Sequence, residues 1–307
     1  MSRVEAVSLP EVSSLALGIS ATSDPCGEDA VRLLACPRCH SRFALLGAKH
    51  DELRCQNPTC GFVGLLRHDV VVMRDETAPS FFDDRHEVMT TGNAGEGVRC
   101  LCYERQADTV ADMLKPGMVV LDVGCGPTLP YHKPADTYVI GLEASYQSIR
   151  VNRHVDMRIY GSALEVPLAD QSVDAVLAYY AVHHMTGTTI AENRANLSRV
   201  LTELGRVVKP GGELAVFEVS PWPLVWHAER LLWNSARRVL GPKLDMCFYP
   251  AHVYERAGRA ALPQAAFTVQ QFRTSMVSTF PPVFSLPWLQ VPRFLYPFDV
   301  NLYRWRF

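Results

Sequence analysis

The sequence predicts an α/β fold in which a doubly wound, mostly parallel sheet follows a small cysteine-held module. Three observations carry this. From about residue 98 short apolar runs alternate with helical stretches, one of those runs opens into a glycine turn at Gly124 and Gly126, and four cysteines stand in two close pairs ahead of it. At 307 residues the chain suits two domains, or one large domain with a small attachment. Hydrophobic residues make up 48% and charged residues 20%, which excludes disordered and collagen-like classes. No uninterrupted apolar run approaches the roughly 18 residues that would span a bilayer. Within the first thirty residues Glu5, Pro10, Glu11 and Asp24 interrupt the apolar stretch an export signal needs, so a cytoplasmic protein is expected.

Residues 1–30 mix Ser, Gly, Pro and Asp without periodicity and read as a loosely held N-terminal arm. Residues 31–78 read as a zinc-ribbon-like module. Cys36 and Cys39 form a CPRC pair, and after fifteen residues Cys55 and Cys60 form CQNPTC. Four soft thiolates in two close pairs suit tetrahedral zinc in a closed structural site. His40 and His50 are the substitutes should one cysteine drop out. Nine cysteines in all, an odd number, also favour metal ligation in a reducing compartment over a disulfide framework.

The alternating part begins with a helix near 101–114. Strands are predicted at 118–123, 138–142, 157–160, 173–178 and 213–219, and a helix at 190–208, where Leu197, Val200, Leu201, Leu204, Val207 and Val208 mark one apolar face. The run from Val119 to Val123 is a buried strand that opens into Gly124, Cys125, Gly126 and Pro127, a turn that lets backbone approach a ligand closely. A dinucleotide fingerprint would place a third glycine where Leu129 stands, which argues against a nicotinamide cofactor. Seventeen residues beyond Gly126 the next strand ends in Glu143, where an acidic side chain can accept both ribose hydroxyls.

Charge and composition change near Ser220. Residues 221–307 hold 10 basic and 4 acidic side chains, against 9 and 13 in 1–90 and 11 and 15 in 91–220. They also hold all five tryptophans. A helix-like run from Leu224 to Leu240 is followed by strands near 266–273 and 300–306.

Over about residues 98–220 the chain resembles the class I S-adenosylmethionine-dependent methyltransferases. LDVGCGP at 121–127 looks like the family's first motif and GLEAS at 141–145 like its acidic second motif. GSALEVPLADQSVDAV at 161–176 and LTELGRVVKPGGELAVFE at 201–218 resemble the turn, loop, helix and strands that follow. The resemblance implies a Rossmann-like seven-stranded sheet over residues 79–307, with an acceptor cap inserted at about 221–265. It implies S-adenosylmethionine as cofactor, with Asp122 holding the methionine amino end and Gly124 and Gly126 giving backbone proximity. Glu143, in company with Ala144, would grip the ribose. Ser162 stands where the family usually has Asp or Asn, leaving adenine to the backbone of Ala163 and Leu164, and Ala178 would offer a backbone carbonyl to the amine.

Methyl transfer is a displacement on a sulfonium, so the enzyme aligns the acceptor, excludes water and removes a proton where needed. Tyr179, Tyr180, His183 and His184 follow the fourth strand, whose carboxyl end faces the ligand crevice, and of these Tyr179 and His183 are the catalytic candidates. Cys125 reads as a small filler in the glycine turn. In the C-terminal segment Arg237, Arg238, Arg256 and Arg273 are the charge candidates for holding an acceptor.

A zinc ribbon before such a domain resembles two groups, one modifying a guanine in ribosomal RNA and one acting on small molecules. An RNA-reading module should be basic, yet residues 1–90 carry net −4. A small-molecule acceptor of aromatic or anionic character, such as a natural-product or metabolite intermediate, is therefore favoured. Ribosomal RNA is the runner-up, and a non-catalytic cofactor-binding scaffold is the third reading.

Overall fold

The computed structural model describes residues 28–46, 51–74, 98–241, 244–272, 276–277, 291–292, 294 and 297–307. Most of the expected arm, His50 and Arg273 lie outside them. A short helix, α1 (Glu28–Leu33), precedes four short strands, β1 (Phe43–Leu46), β2 (Glu52–Cys55), β3 (Val63–Arg67) and β4 (Val70–Val72). Then come α2 (Val98–Met113), β5 (Val119–Val123), β6 (Tyr138–Glu143), α3 (Tyr146–Val151), β7 (Met157–Tyr160) and β8 (Val173–Tyr179). A 3₁₀ turn at Val182–His184 leads into α4 (Ile190–Val207), β9 (Val208–Pro221), α5 (Pro223–Leu240) and α6 (Ala251–Ala261). The chain ends in β10 (Ala266–Phe272), β11 (Met276–Val277), β12 (Val291–Pro292) and β13 (Phe298–Arg306).

The main sheet runs β1-β2-β3-β4-β7-β6-β5-β8-β9-β13-β10, and β11 with β12 forms a separate two-stranded sheet. The segment β7-β6-β5-β8-β9 is parallel throughout. Strand β13 returns antiparallel between β9 and β10.

The sheet is larger than the seven strands expected: β7, β6, β5, β8, β9, β13 and β10 are continued by β4, β3, β2 and β1 of the cysteine module into one sheet of eleven strands. The physical reason lies in β4, which pairs parallel with β7, Val70 to Val72 opposite Arg158 to Tyr160. Met73 extends the junction by donating its N–H to the Tyr160 carbonyl at 2.9 Å. Val70, Val71 and Val72 are 0–5% exposed, so both faces of this short strand are covered, and the module closes what would otherwise be an open sheet edge.

Side-chain alternation sorts the core into two layers. Leu121, Val123, Val176, Leu214 and Val216 face one side with Leu197, Val200, Leu201 and Leu204 of α4 and Trp226 and Trp233 of α5. Val120, Val139, Leu177, Ala215 and Phe217 face the other with Val110 and Ile149 of α2 and α3. Helices therefore cover both faces, as the alternating pattern requires. Helix α4 starts on Thr189, whose side chain accepts from Glu192 N, an N-cap that satisfies one of the donors left open at a helix start. Among the described residues no helix is long and apolar enough to cross a membrane.

Helix α6 docks through Gly258, where an added Cβ would lie 2.3 Å from Nε1 of the fully buried Trp305. Helix propensity favours alanine over glycine by about 1 kcal/mol, but overpacking a rigid core costs about 1–3 kcal/mol. Gly258→Ala is expected to lower the melting temperature in a thermal scan; a rise would mean that the α6–β13 contact yields.

Candidate functional site

Strand β5 sits where the sheet order reverses, with β6 on one side and β8 on the other. Chains leaving the carboxyl ends of β5 and β8 diverge there, so the crevice of a doubly wound sheet opens at this point. Gly124 and Gly126 adopt φ of 68° and 59°, the left-handed region that favours glycine. A Cβ at Gly124 would stand 2.6 Å from the Ala181 Cβ, so the turn is packed directly against the chain leaving β8.

Two buried carboxylates flank the turn. Glu143 accepts from Gly126 N through Oε2 and from Ser145 N through Oε1, each at 2.9 Å. Asp122 is 1% exposed; its Oδ2 accepts from the Tyr131 hydroxyl at 2.8 Å, while Oδ1 has no hydrogen-bond partner among the described residues. Burial, with the Glu143 charge nearby, pushes Asp122 up to about 7 despite the Tyr131 bond. Burial likewise raises the Tyr131 hydroxyl and the Cys125 thiol. Cys125 packs beneath Gly141, where a Cβ would meet its sulfur at 2.8 Å, in keeping with a filler role. Asn152 braces the turn from below, donating to the Gly126 carbonyl at 2.8 Å.

The remaining sequence candidates fall around this crevice. Ala144 is half-buried immediately after Glu143. Ser162 spends its Oγ on the Leu164 N–H at 3.2 Å, so of the two backbone groups expected to serve adenine, the Leu164 amide is already bound within its own turn. Ala163 is buried, and Ala178 lies within the sheet between Val123 and Val216.

Tyr179 and His183 occupy different faces. Tyr179 stacks on Phe217 at 4.2 Å and on Tyr131 at 6.0 Å, within the Asp122 layer. His183 turns to the adjacent residue of β9, Glu218: Nδ1 lies 2.7 Å from Oε2, and the His183 N–H donates to Oε1 at 3.1 Å. Successive side chains of a strand point to opposite faces, so Phe217 and Glu218 hold the two candidates apart. A carboxylate only accepts, so the His183 Nδ1 donates to Glu218, and in the neutral imidazole the lone pair is then on Nε2. Glu218 is fully buried and His183 is 5% exposed, with Phe248 stacked on the imidazole at 4.8 Å. Beside them burial, reinforced by His183, holds the His184 imidazole below its usual value. Glu229 of α5, pushed up to about 7 by burial, accepts from Phe248 N at 3.0 Å.

Tyr131 and Glu218 are absent from the sequence candidates. Tyr131 follows an irregular Pro-containing stretch with no period to place it. Glu218 is a charged residue inside the apolar run Leu214–Val219, a signal that the strand pattern carries. Of the charge candidates, Arg237 donates to the carbonyls of Gly241 and Leu244 and closes the end of α5.

The four paired cysteines converge. Cys36, Cys39, Cys55 and Cys60 have sulfurs all within 4.8 Å of one another, with Cys36–Cys60 at 3.6 Å and Cys39–Cys55 at 3.4 Å. Zinc–sulfur bonds of about 2.3 Å in a tetrahedron set sulfurs roughly 3.8 Å apart, so the donor set fits. His40 lies outside it, 3.8 Å from Glu203.

Comparison with known proteins matches residues 121–216 to the methyltransferase domain family. The chain is 32% identical over 186 residues to 27-O-demethylrifamycin SV methyltransferase of Amycolatopsis mediterranei, covering 55% of this chain and 63% of that one. It is 29% identical over 131 residues to the tRNA (carboxymethyluridine(34)-5-O)-methyltransferase of Mus musculus, covering 42% and 18%. The chain thus spans less than two thirds of either curated relative. Among solved structures, geranyl diphosphate C-methyltransferase from Streptomyces coelicolor superposes with a TM-score of 0.46 at 16% identity, covering 66% of this chain and 78% of that one. The match thus covers the stretch from the glycine turn to β9, and both curated relatives are named as methyltransferases.

Elemental analysis of the purified chain is expected to find one zinc per molecule. Because β4 is stitched to β7, chelation or Cys36→Ser should lower the melting temperature of the whole chain, in keeping with the roughly 10–16 kcal/mol that structural zinc contributes in small modules. A metal-free chain melting at an unchanged temperature would remove the zinc assignment.

Proposed function

We propose that this chain is an S-adenosylmethionine-dependent methyltransferase acting on a small-molecule acceptor of aromatic or anionic character, such as a natural-product or metabolite intermediate. The observation that carries the reading is the buried Asp122 oxygen that has no partner among the described residues, beside a left-handed glycine turn tied to Glu143. A dry, unpaired carboxylate oxygen costs stability unless a cation meets it, and the amino end of the cofactor is such a cation. Glu143 stands at the end of β6 beside the glycine turn, where an acidic side chain can accept from a ribose diol. In this reading residues 1–30 are an arm, 31–78 the metal-held module and 79–307 the catalytic domain, with 221–265 capping the acceptor.

When bound, the cofactor would supply an electrophilic methyl group on a sulfonium. Asp122 would hold the amino end and Tyr131 would fix the carboxylate's orientation. Gly124 and Gly126 would let backbone approach, and Glu143 would grip the ribose, with Ala144, Ser162, Ala163 and Ala178 lining the pocket. His183, oriented by Glu218, would take at Nε2 the proton that an acceptor hydroxyl or amine loses on alkylation. The buried Glu218 carboxylate stabilises the imidazolium that results. Phe248, stacked on His183 and backed by Phe298 at 5.9 Å, would exclude water from that side. Tyr179, stacked between Tyr131 and Phe217 on the other face from His183, would present its hydroxyl to the acceptor from the cofactor side.

An RNA acceptor is the second reading, favoured by the net +6 of residues 221–307 and by the relative named for tRNA. Calorimetry with S-adenosylhomocysteine, alone and with bulk ribosomal RNA, separates the two: cofactor-product binding that RNA leaves untouched supports the small-molecule acceptor. Salt-sensitive RNA binding would promote the other, and absence of binding by folded protein would sink the cofactor assignment.

Two further outcomes follow from the geometry. His183→Ala and Glu218→Gln should each lower kcat by about 10²–10⁴ with little change in cofactor affinity, whereas Glu143→Ala should weaken cofactor binding by about tenfold or more. Tyr179→Phe keeps the ring stack, so any fall in turnover would report its hydroxyl alone; unchanged turnover in both Tyr179→Phe and His183→Ala would remove this assignment.

The second outcome concerns pH. Asp122, with its pKa near 7, must ionise to hold an ammonium. Affinity for S-adenosylhomocysteine should therefore fall as pH drops below about 7, approaching tenfold per unit, and level off above it. Calorimetry in buffers of different ionisation heat should register proton release near neutrality. A flat profile between about pH 5.5 and 8 would take Asp122 out of the amino-group site.

A further inference from the structure

We infer that a cleft between α4, α5 and α6 binds a phosphoryl-bearing anion, at a site distinct from the cofactor crevice. The cleft has a volume of about 330 Å³, within the range of small-ligand sites. It lies in the helical layer over the Leu121 face of the sheet, whereas Asp122, Tyr131 and Tyr179 belong to the opposite face.

Its lining is cationic. Arg194 of α4, Arg230 and His227 of α5, and Arg256 and His252 of α6 surround it, all of them exposed, and no acidic side chain lines it. Among the described residues none of the three arginines pairs with a carboxylate. The carboxylates carried by the same helices are engaged elsewhere: Glu192 accepts from Thr188, Glu203 from Arg206, Glu229 from Phe248 N, and Glu255 from Arg259. Three guanidiniums gathered around one cleft repel one another, and an anion of matching charge relieves that cost.

Two more features point the same way. The first turns of α5 and α6 border the cleft through Pro223 and His252. Neither helix has a side-chain N-cap or an acidic residue in its first turn, so the positive end of each dipole is uncompensated. Arg194 is held over the Trp226 ring at 5.7 Å, which steadies one guanidinium at the wall. Trp226 is itself 2% exposed and offers no open face for a nucleobase to stack on, which favours a compact anion over a single-stranded nucleic acid. Planar guanidinium forks match phosphate oxygens in bidentate fashion, and two or more negative charges suit three arginines better than one carboxylate would.

The phosphoryl group has two sources, a soluble phosphate compound or a lipid headgroup. The second is brought in by the outer side of α5, where Leu224, Leu231 and Val239 are 75–83% exposed. The test uses the full zinc-replete chain with inorganic diphosphate in calorimetry, and with sedimentable phosphatidylglycerol or phosphatidylcholine vesicles. Diphosphate should bind with a dissociation constant below about 1 mM at low salt and weaken as salt rises. Arg230→Gln and Arg256→Gln should each weaken it about tenfold. Arg259→Gln, on the same helix but outside the cleft, should leave it unchanged, and so should all three for S-adenosylhomocysteine affinity.

Binding to phosphatidylglycerol but not phosphatidylcholine vesicles, lost in the same two variants, would identify the lipid source. Absence of both interactions in the folded chain, or either one persisting undiminished in the Arg230→Gln, Arg256→Gln double variant, would overturn the site. None of these readouts needs methyl transfer, so failure here and failure of the proposed function are distinguishable.

Discussion

The Glu143 carboxylate ties the end of β6 to the glycine turn at the end of β5, and the geometry of the crevice depends on that tie. One oxygen accepts the Gly126 N–H and the other the Ser145 N–H, so a single buried charge fixes both the left-handed turn and the start of α3. Burying a carboxylate is costly unless its oxygens are met by donors. Two amides meet this one. Asp122 is treated differently: it receives one hydroxyl and keeps one oxygen without a partner among the described residues. The two carboxylates thus sit in one wall in different states of satisfaction. Their separation into a structural anchor and an open acceptor arises from the local donor supply, since both are buried.

Much of the sheet was legible because its central strands are buried on both faces and read as near-continuous apolar runs. Val119–Val123, Met157–Tyr160 and Val173–Tyr179 fall within a residue of their expected bounds. The extension of the sheet into the cysteine module was not legible. It rests on pairing between Val70–Val72 and Arg158–Tyr160, nearly ninety residues apart, and nothing in either segment alone specifies the other. The cysteine cluster could be read because spacing carries it. The His183–Glu218 pair could be read only by half, since the histidine follows a recognisable strand while its partner is distinguished solely by being charged inside an apolar run. Tyr131 escaped because irregular loops have no period from which to place a side chain.

The small module acquires a second physical role from its position. A parallel sheet ending at β7 would present an open row of backbone groups. Strand β4 covers that row, and β3, β2 and β1, each with exposed residues, carry the ladder outward in antiparallel pairs. Short exposed strands at an outer edge form a poor template for further pairing. Any metal held by Cys36, Cys39, Cys55 and Cys60 would therefore stabilise the edge of the whole sheet, and the stability of the module and that of the crevice are linked through β7 and β6.

Charge is segregated through the molecule in a way that suits two ligands of opposite sign. The crevice wall holds Asp122 and Glu143 with tyrosines and glycines around them, and the bonds described for these two carboxylates come from amides and a hydroxyl. A ligand that brings an ammonium and a sulfonium would be opposed by guanidinium there, and at low effective dielectric that opposition would be strong. The excess basic charge of residues 221–307 is instead carried in part by Arg230 and Arg256, on the helices that pack against the opposite face of the sheet. The sheet and its two apolar layers stand between the regions, which keeps the guanidiniums of α5 and α6 out of the crevice wall. A cationic ligand on one side and an anionic one on the other can then be held without either site weakening the other electrostatically. That independence follows from the placement of α5 and α6 after β9, where the chain crosses to the Leu121 face before returning as β10.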